Sequence, residues 1–215
     1  MFHEIDEALG RLLGTAVAGE VAFDAPTRDW AARRSAPTLN AYLYDIREDV
    51  TRRERGALAE RDAHGVVTRR IQPPRWFRLS YLVTAWTAQP KDEHLLLAGA
   101  LAALLPHEVL SGEAVPASVR SLAPTLPLTV AAPPAESRSL AEIWSALGGE
   151  LKPSLDVVIS TPFPVTPVYD VAPPVTDAEI TVRGTGGAAG ADSRPRTLRR
   201  RAGTRDGRLQ DGSET

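Results

Sequence analysis

Four histidines, scattered carboxylates and an arginine-rich tail are the residues of this 215-residue chain with chemistry to offer. His3, His64, His94 and His107 fall at neither HExxH nor HxH spacing. The neighbours Glu93-His94 and His107-Glu108 diverge on any regular element instead of converging on a cation, so helix ends and loops are their expected places and no metal site is expected. Asp45 and Asp49 stand beside arginines in charge-rich segments, a setting for surface ion pairs and not for acid/base work. No GxSxG elbow or P-loop is present, and Gly184-Thr185-Gly186-Gly187 neither follows a strong strand nor opens a helix, which removes the usual phosphate cradle. Cysteine is absent, which excludes disulfides, thiolate metal ligands and a cysteine nucleophile. Arg194, Arg196, Arg199, Arg200 and Arg201 form a basic cluster, diluted by Asp192, Asp206, Asp211 and Glu214. Trp76 and Trp86 read as core or subunit contacts before they read as a stacking platform. These residues point to no catalytic group and no cofactor, so the chain is read as something other than an enzyme.

The elements that hold these residues are those of an ordinary folded domain. Apolar residues make up 43% and charged residues 24% of the chain, with a net charge of −2, which gives no whole-chain argument for nucleic acid or a charged membrane. The start Met1-Phe2-His3-Glu4 lacks a basic n-region and an apolar h-region, and no apolar run approaches the ~20 residues of a span, so cytoplasmic synthesis is expected. The centre of the core is expected at Arg75 to Leu105. Arg75 to Trp86 alternates Phe77, Leu79, Tyr81, Val83 and Ala85 against a mixed face of Trp76, Arg78, Ser80, Leu82, Thr84 and Trp86, the pattern of a strand bounded by Pro73-Pro74 and Gln89-Pro90. The helix Asp92 to Leu105, rich in leucine, is expected to be buried.

Around this centre the chain reads in order. Glu4 to Val17 is an amphipathic helix that Gly19 is placed to end. Val21-Ala22-Phe23 is a short strand, Arg28 to Arg34 an irregular helical turn around Trp30, and Thr38 to Arg47 a longer strand with Leu39, Ala41 and Leu43 on one face and Tyr42, Tyr44 and Ile46 on the other. Thr51 to Gln72 is a polar hairpin with its tip at His64-Gly65. Pro106 to Pro127 is a linker with a short helix at Ala117 to Leu122. Leu126 to Ala131 is a strand that Pro127 places at a sheet edge. Ser139 opens a capping box with Glu142 for a helix to Leu147, stopped by Gly148-Gly149, and Leu155 to Thr161 is the last strand. The order α-β-β-(hairpin)-β-α-β-α-β predicts an α+β fold with a mostly antiparallel sheet packed with helices over residues 1–165. Residues 166–183 are a Pro-rich extended arm, since frequent proline forbids a helix or central strand. Residues 184–215 are a Gly/Arg-rich tail expected to be disordered.

Several of these stretches, taken in order, carry a resemblance. They are Ile5-Asp6-Glu7-Ala8-Leu9, Val21 to Thr27, Pro37 to Glu48, Leu79 to Trp86, and His94-Leu95-Leu96-Leu97-Ala98. Over about residues 1–165 the chain resembles the N-terminal domain of the cap, or tail-terminator, proteins of extracellular contractile injection systems, of the antifeeding prophage and Photorhabdus virulence cassette type. The resemblance implies a phage tail-terminator-like fold and a homohexameric ring that closes the inner tube and anchors the last sheath ring. Its partners would be sheath protein, inner tube protein and further copies of itself within a phage tail-like particle, with no nucleic acid, membrane or cofactor. The residues expected to contact a partner are Pro162, Phe163, Pro164, Val165, Pro167, Val168, Tyr169 and Val171 of the arm, with the Thr51 to Gln72 hairpin as a second contact. The competing reading is a basic-tailed nucleic-acid-binding adaptor that uses Arg194 to Arg208 and loses affinity steeply with salt.

Overall fold

In the computed structural model the described residues are 1–15, 17, 19–133, 140–165, 168–172, 177–182 and 196–201, the last two stretches by their backbone alone. They fall into two units, Met1–Leu58 with Gln72–Pro167, and Ala59–Ile71 with Val168–Thr215.

The first unit is built on β5 (Arg75–Trp86), which pairs antiparallel with β2 (Thr38–Glu48) on one side and β8 (Ser154–Phe163) on the other. The sheet runs β1-β2-β5-β8-β7-β6, with only β1 (Glu20–Ala22) parallel to its neighbour. Alternation along β5 sends Leu79, Tyr81, Val83 and Ala85 into the main core, where Ile5, Leu9 and Leu13 of α1 (Phe2–Gly14) and Ala100 and Leu104 of α3 (Pro90–Leu104) are also buried. The opposite face is buried too at Ser80, Leu82 and Thr84. On this face the Trp86 indole N–H donates to Thr84 Oγ1 at 2.9 Å, and that hydroxyl lies 3.5 Å from the Asn40 carbonyl oxygen.

Several expectations change. Helix α1 ends at Gly14, not near Gly19: Thr15 caps it, its hydroxyl donating to the Leu12 carbonyl at 2.7 Å. Gly19 has another use, since a Cβ there would lie 2.6 Å from the Pro37 carbonyl oxygen, where β1 comes alongside β2. In β2 a bulge between Leu43 and Asp45 shifts the register, so Ile46 faces Leu79 and no longer shares a side with Tyr42. Helix α3 is buried on one face only, with Leu95 63% and Leu105 61% exposed. The Pro106 to Pro127 stretch contributes β6 (Val109–Ser111) and α4 (Ala117–Arg120), and buries Leu110, Val115 and Val119. Consequently β7 (Thr125–Val130) is not an edge. It pairs with β6 through Thr125 to Pro127 and with β8 through Leu128 to Val130, so Pro127 sits where the strand changes partner.

Two short helices close the second face. In α2 (Arg28–Ala32) the Thr27 hydroxyl accepts from the Trp30 N–H at 3.2 Å, which turns Trp30 inward. In α5 (Leu140–Ala146) Trp144 is buried, and the left-handed Gly148 (φ 68°) lets Gly149 N–H return to the Trp144 carbonyl at 3.1 Å. The proposed cap Ser139 lies outside the described residues.

The second unit contains a three-stranded sheet, β3-β4-β9, from β3 (Leu58–Arg61), β4 (Val67–Ile71) and β9 (Val168–Asp170). Its hairpin tip is the expected one: Asp62 N–H donates to Val66 O at 2.9 Å, Asp62 Oδ1 accepts from His64 and Val66 N–H, and Gly65 takes φ 78°. Further along, β11 (Arg196–Arg201) pairs antiparallel with β10 (Asp177–Val182).

Candidate interaction surfaces

The sequence-predicted arm divides between the two units. Pro162 and Phe163 are the last two residues of β8, opposite Trp76 and Arg75. The expectation that proline keeps this segment out of a central strand fails here for a local reason. β7 reaches only as far as Ile159, so at Pro162 one side of β8 has no strand partner among the described residues. Pro162 is buried, while Phe163 is 39% exposed with its ring 5.9 Å from Phe2 and 6.0 Å from Phe77. Pro164 is exposed and Val165 half-buried; Pro167 lies outside the described residues.

Val168 and Tyr169 belong to β9, which lies on the chain's own hairpin. Arg69 pairs with Asp170, Arg70 with Tyr169 and Ile71 with Val168, and Val171 N–H donates to Thr68 O at 3.1 Å. This brings together the two segments singled out in the sequence, arm and hairpin, which nothing in their spacing foretold. No residue of β3, β4 or β9 is buried, and Val168 and Tyr169 are 49% and 54% exposed. Strand alternation puts Val67, Ile71 and Val168 on one face and Thr68, Arg70 and Tyr169 on the other. A sheet of this size without a packed face is marginal by itself.

A second surface lies in the first unit. A groove of about 470 Å³ opens over the Arg78–Ser80 end of the second sheet face, with Tyr44 and Asp156 at its floor and Val50, Leu140 and Ile143 among its walls. Its carboxylates are engaged. Tyr44 donates to Asp156 at 2.9 Å, and Arg47 lies 3.3 Å from Asp45. Glu48 is held by Arg53 and, at 3.6 Å, Arg75, while Asp49 accepts from Thr51 and pairs with Arg52. The Arg53 hydrogen bond keeps the Glu48 carboxyl below its ordinary range and the Arg53 guanidinium above its own. Asp45 and Asp49 are therefore ion-pair partners, as their setting predicts.

The remaining candidates fall into structural roles. His3 lies near the N-terminal amine, His64 is at the hairpin tip, and His94 and His107 are exposed; no group of three possible metal-ligating side chains occurs among the described residues. Trp86 packs edge-on against Trp30 at 5.4 Å and beside Trp144 at 6.4 Å, with the Lys152 ammonium 4.3 Å above it and ion-paired to Glu93. Trp76 lies under Arg52 at 4.7 Å. On the α1 side, Tyr81 donates to Asp6 at 2.7 Å and Ser118 to Glu4. Burial pushes the Asp6 carboxyl and the Tyr81 phenol up, while the Ser118 bond lowers Glu4. No helix among the described residues is long and apolar enough to cross a membrane.

This α+β arrangement is the fold of tube-terminating caps of contractile particles. The chain belongs to the Pvc16 N-terminal domain family, whose model matches residues 4–177. Among solved structures it is similar to the PVC sheath/tube terminator of an extracellular contractile injection system in its extended state. That likeness has a TM-score of 0.62 and 26% identity, covering 88% of this chain and 65% of that one. It shares its fold with the anti-feeding prophage cap, the AFP tube terminating cap, at a TM-score of 0.58 and 22% identity over 83% of this chain and 60% of that one. The chain thus spans somewhat under two thirds of either cap's length. A comparison with curated proteins gives no match.

Proposed function

We propose that this chain is a structural cap of a contractile injection system, whose ring ends the inner tube and anchors the last ring of sheath. The observation that carries the reading is the likeness to a sheath/tube terminator along 88% of the chain. The uncovered β3-β4-β9 sheet supports it, because a subunit that must hold neighbours needs strands and faces left unsatisfied by its own fold. In this reading the protein is made in the cytoplasm, assembles as a homohexamer on the particle and performs no catalysis. A cyclic head-to-tail interface closes without leaving a free patch, which suits a terminal ring. The arm from Pro162 to Val171 and the Thr51 to Gln72 hairpin meet sheath, tube or a neighbouring cap subunit. No nucleic acid is required: the register sets Asp177 opposite Arg201 and Glu179 opposite Arg199, which works against a purely basic tail.

Light scattering of the purified protein, alone and with its sheath and tube proteins, tests this. A six-fold ring, or a monomer that becomes one on tube ends, is the expected result. A monomer indifferent to both would refute it, and tight salt-sensitive binding to nucleic acid would favour the adaptor. The arm is tested by ending the chain after Val165, which preserves all of β8 and the Phe163 contacts. The shortened protein should fold but no longer retain extended sheath; normal retention would remove β9 from the mechanism.

A further inference from the structure

The second face of β5 is covered at one end and open at the other. Leu82 and Thr84 are fully buried and Ser80 nearly so, while Arg78, two residues on, is exposed on the floor of the 470 Å³ groove. Arg78 stands directly opposite Arg47 of β2 and Ser160 of β8. Like charges facing each other on neighbouring strands are unfavourable unless a counter-charge is supplied. Arg47 has Asp45, Arg52 has Asp49, and Arg53 and Arg75 share Glu48. Arg78 has no such carboxylate among the described residues. Above it the walls turn aliphatic, with Val50 64% and Leu140 45% exposed.

We propose that this groove receives an extended segment of a partner protein in which a carboxylate lies among aliphatic side chains. The carboxylate meets Arg78, and the aliphatic groups meet Val50, Leu140 and Ile143. A guanidinium suits this because its planar fork binds a carboxylate with two hydrogen bonds, more strongly where apolar walls exclude water. The four lining carboxylates argue against a phosphate backbone, which would meet them along its length. The groove is also larger than an isolated small anion would fill. This inference deepens the cap reading by giving it a specific holding surface, and rests on that reading only for the setting in which the partner is met.

The test places a benzoylphenylalanine crosslinker at Val50 in producing cells, with the exposed Glu113 as the control position. The expected adduct at Val50, absent at Glu113, is a partner peptide with Asp or Glu among aliphatic residues. Arg78→Gln should lower its yield about tenfold, the loss of one charge-assisted contact, and Arg78→Lys should lower it less. Because Arg78 is exposed, both variants should keep the circular dichroism of the parent, and Leu140→Ser provides an independent loss through the apolar wall. Four results would each overturn the proposal: no adduct, a basic or nucleic-acid adduct, a yield indifferent to Arg78, or an adduct to residues 134–139 of the same chain. Whether the protein co-purifies with sheath and tube is read separately from the same cells. The cap reading can thus fail while the groove assignment stands, or the reverse.

Discussion

Strand β9 should be held only weakly in the free protein and firmly in an assembly. Its attachment consists of three cross-strand pairs, at Arg69–Asp170, Arg70–Tyr169 and Ile71–Val168, with the Val171 to Thr68 bond just beyond. Such pairs contribute about 0.2–1 kcal/mol each. The Arg69–Asp170 ion pair, 3.4 Å long between groups 56% and 87% exposed, adds little to this. An attachment of about 1–2 kcal/mol corresponds to a closed population roughly 5- to 30-fold above the open one. Amide hydrogen exchange at Val171 should therefore be slowed by about that factor in the isolated protein. The amides of β5, buried on both faces and paired on both sides, should open only with global unfolding. In the assembled particle Val171 should join the slow class. If Val171 were as protected as β5 in the isolated protein, a sheet without a buried residue would be drawing stability from elsewhere. Its incompleteness could then no longer be offered as a reason for assembly.

Other consequences can be checked on the isolated domain. Gly19→Ala should destabilise it by about 1–3 kcal/mol in urea unfolding, because the new methyl meets the rigid Pro37 carbonyl at 2.6 Å. Gly14→Ala, with nothing within 4 Å, should be neutral or stabilising by ~0.5 kcal/mol. Asp6→Asn should raise the melting temperature at pH 7 and do so less as the pH falls to 3. Burial holds the Asp6 carboxyl above its ordinary value of 3.8, so the folded state keeps this proton longer than the unfolded state does. The stability cost of ionisation is absent below 3.8 and develops as pH rises through the raised value. An advantage for the variant that grew on acidification would contradict that sign.

What could be read from the sequence was whatever depends on neighbours along the chain. β5 is bounded by prolines and alternates without interruption, so its span and its central place followed from composition. The His64-Gly65 tip and the Gly148 stop followed because each requires a backbone conformation that glycine supplies. What depends on coverage was not legible. The leucines of α3 predict burial, yet Leu95, Ala98, Ala102 and Leu105 form a stripe that no element among the described residues covers. Periodicity records which side is apolar and not whether anything packs there. The β2 bulge leaves no residue signature, and with it the side of Ile46 was lost. β6 is only three residues long, too short to alternate, so Pro127 made β7 an apparent edge. Prolines concealed β9, and the meeting of arm with hairpin is a long-range pairing with no local sign. In the groove, Arg47 and Arg78 belonged to two separate strands of the sequence, and only the β2–β5 register sets them face to face.

The uncovered places also limit how the proposed ring can be held. Burying the exposed parts of Leu95 and Leu105 would contribute roughly 2–4 kcal/mol, and burying the exposed half of Val168 on β9 roughly 1 more. Bringing two subunits together costs an estimated 4–15 kcal/mol before any contact is repaid. Neither surface alone therefore sustains a ring, and the two together barely reach the lower bound. A cap built this way should be monomeric or weakly associated in solution and should close on the end of a tube. There the subunits are already aligned by a common platform, and each small contact is added within one complex. On this account loss of the arm and loss of the α3 stripe would each lower occupancy of tube ends by a modest factor, and their combination would abolish it. A ring that is stable in dilute solution without tube would require a large subunit interface elsewhere.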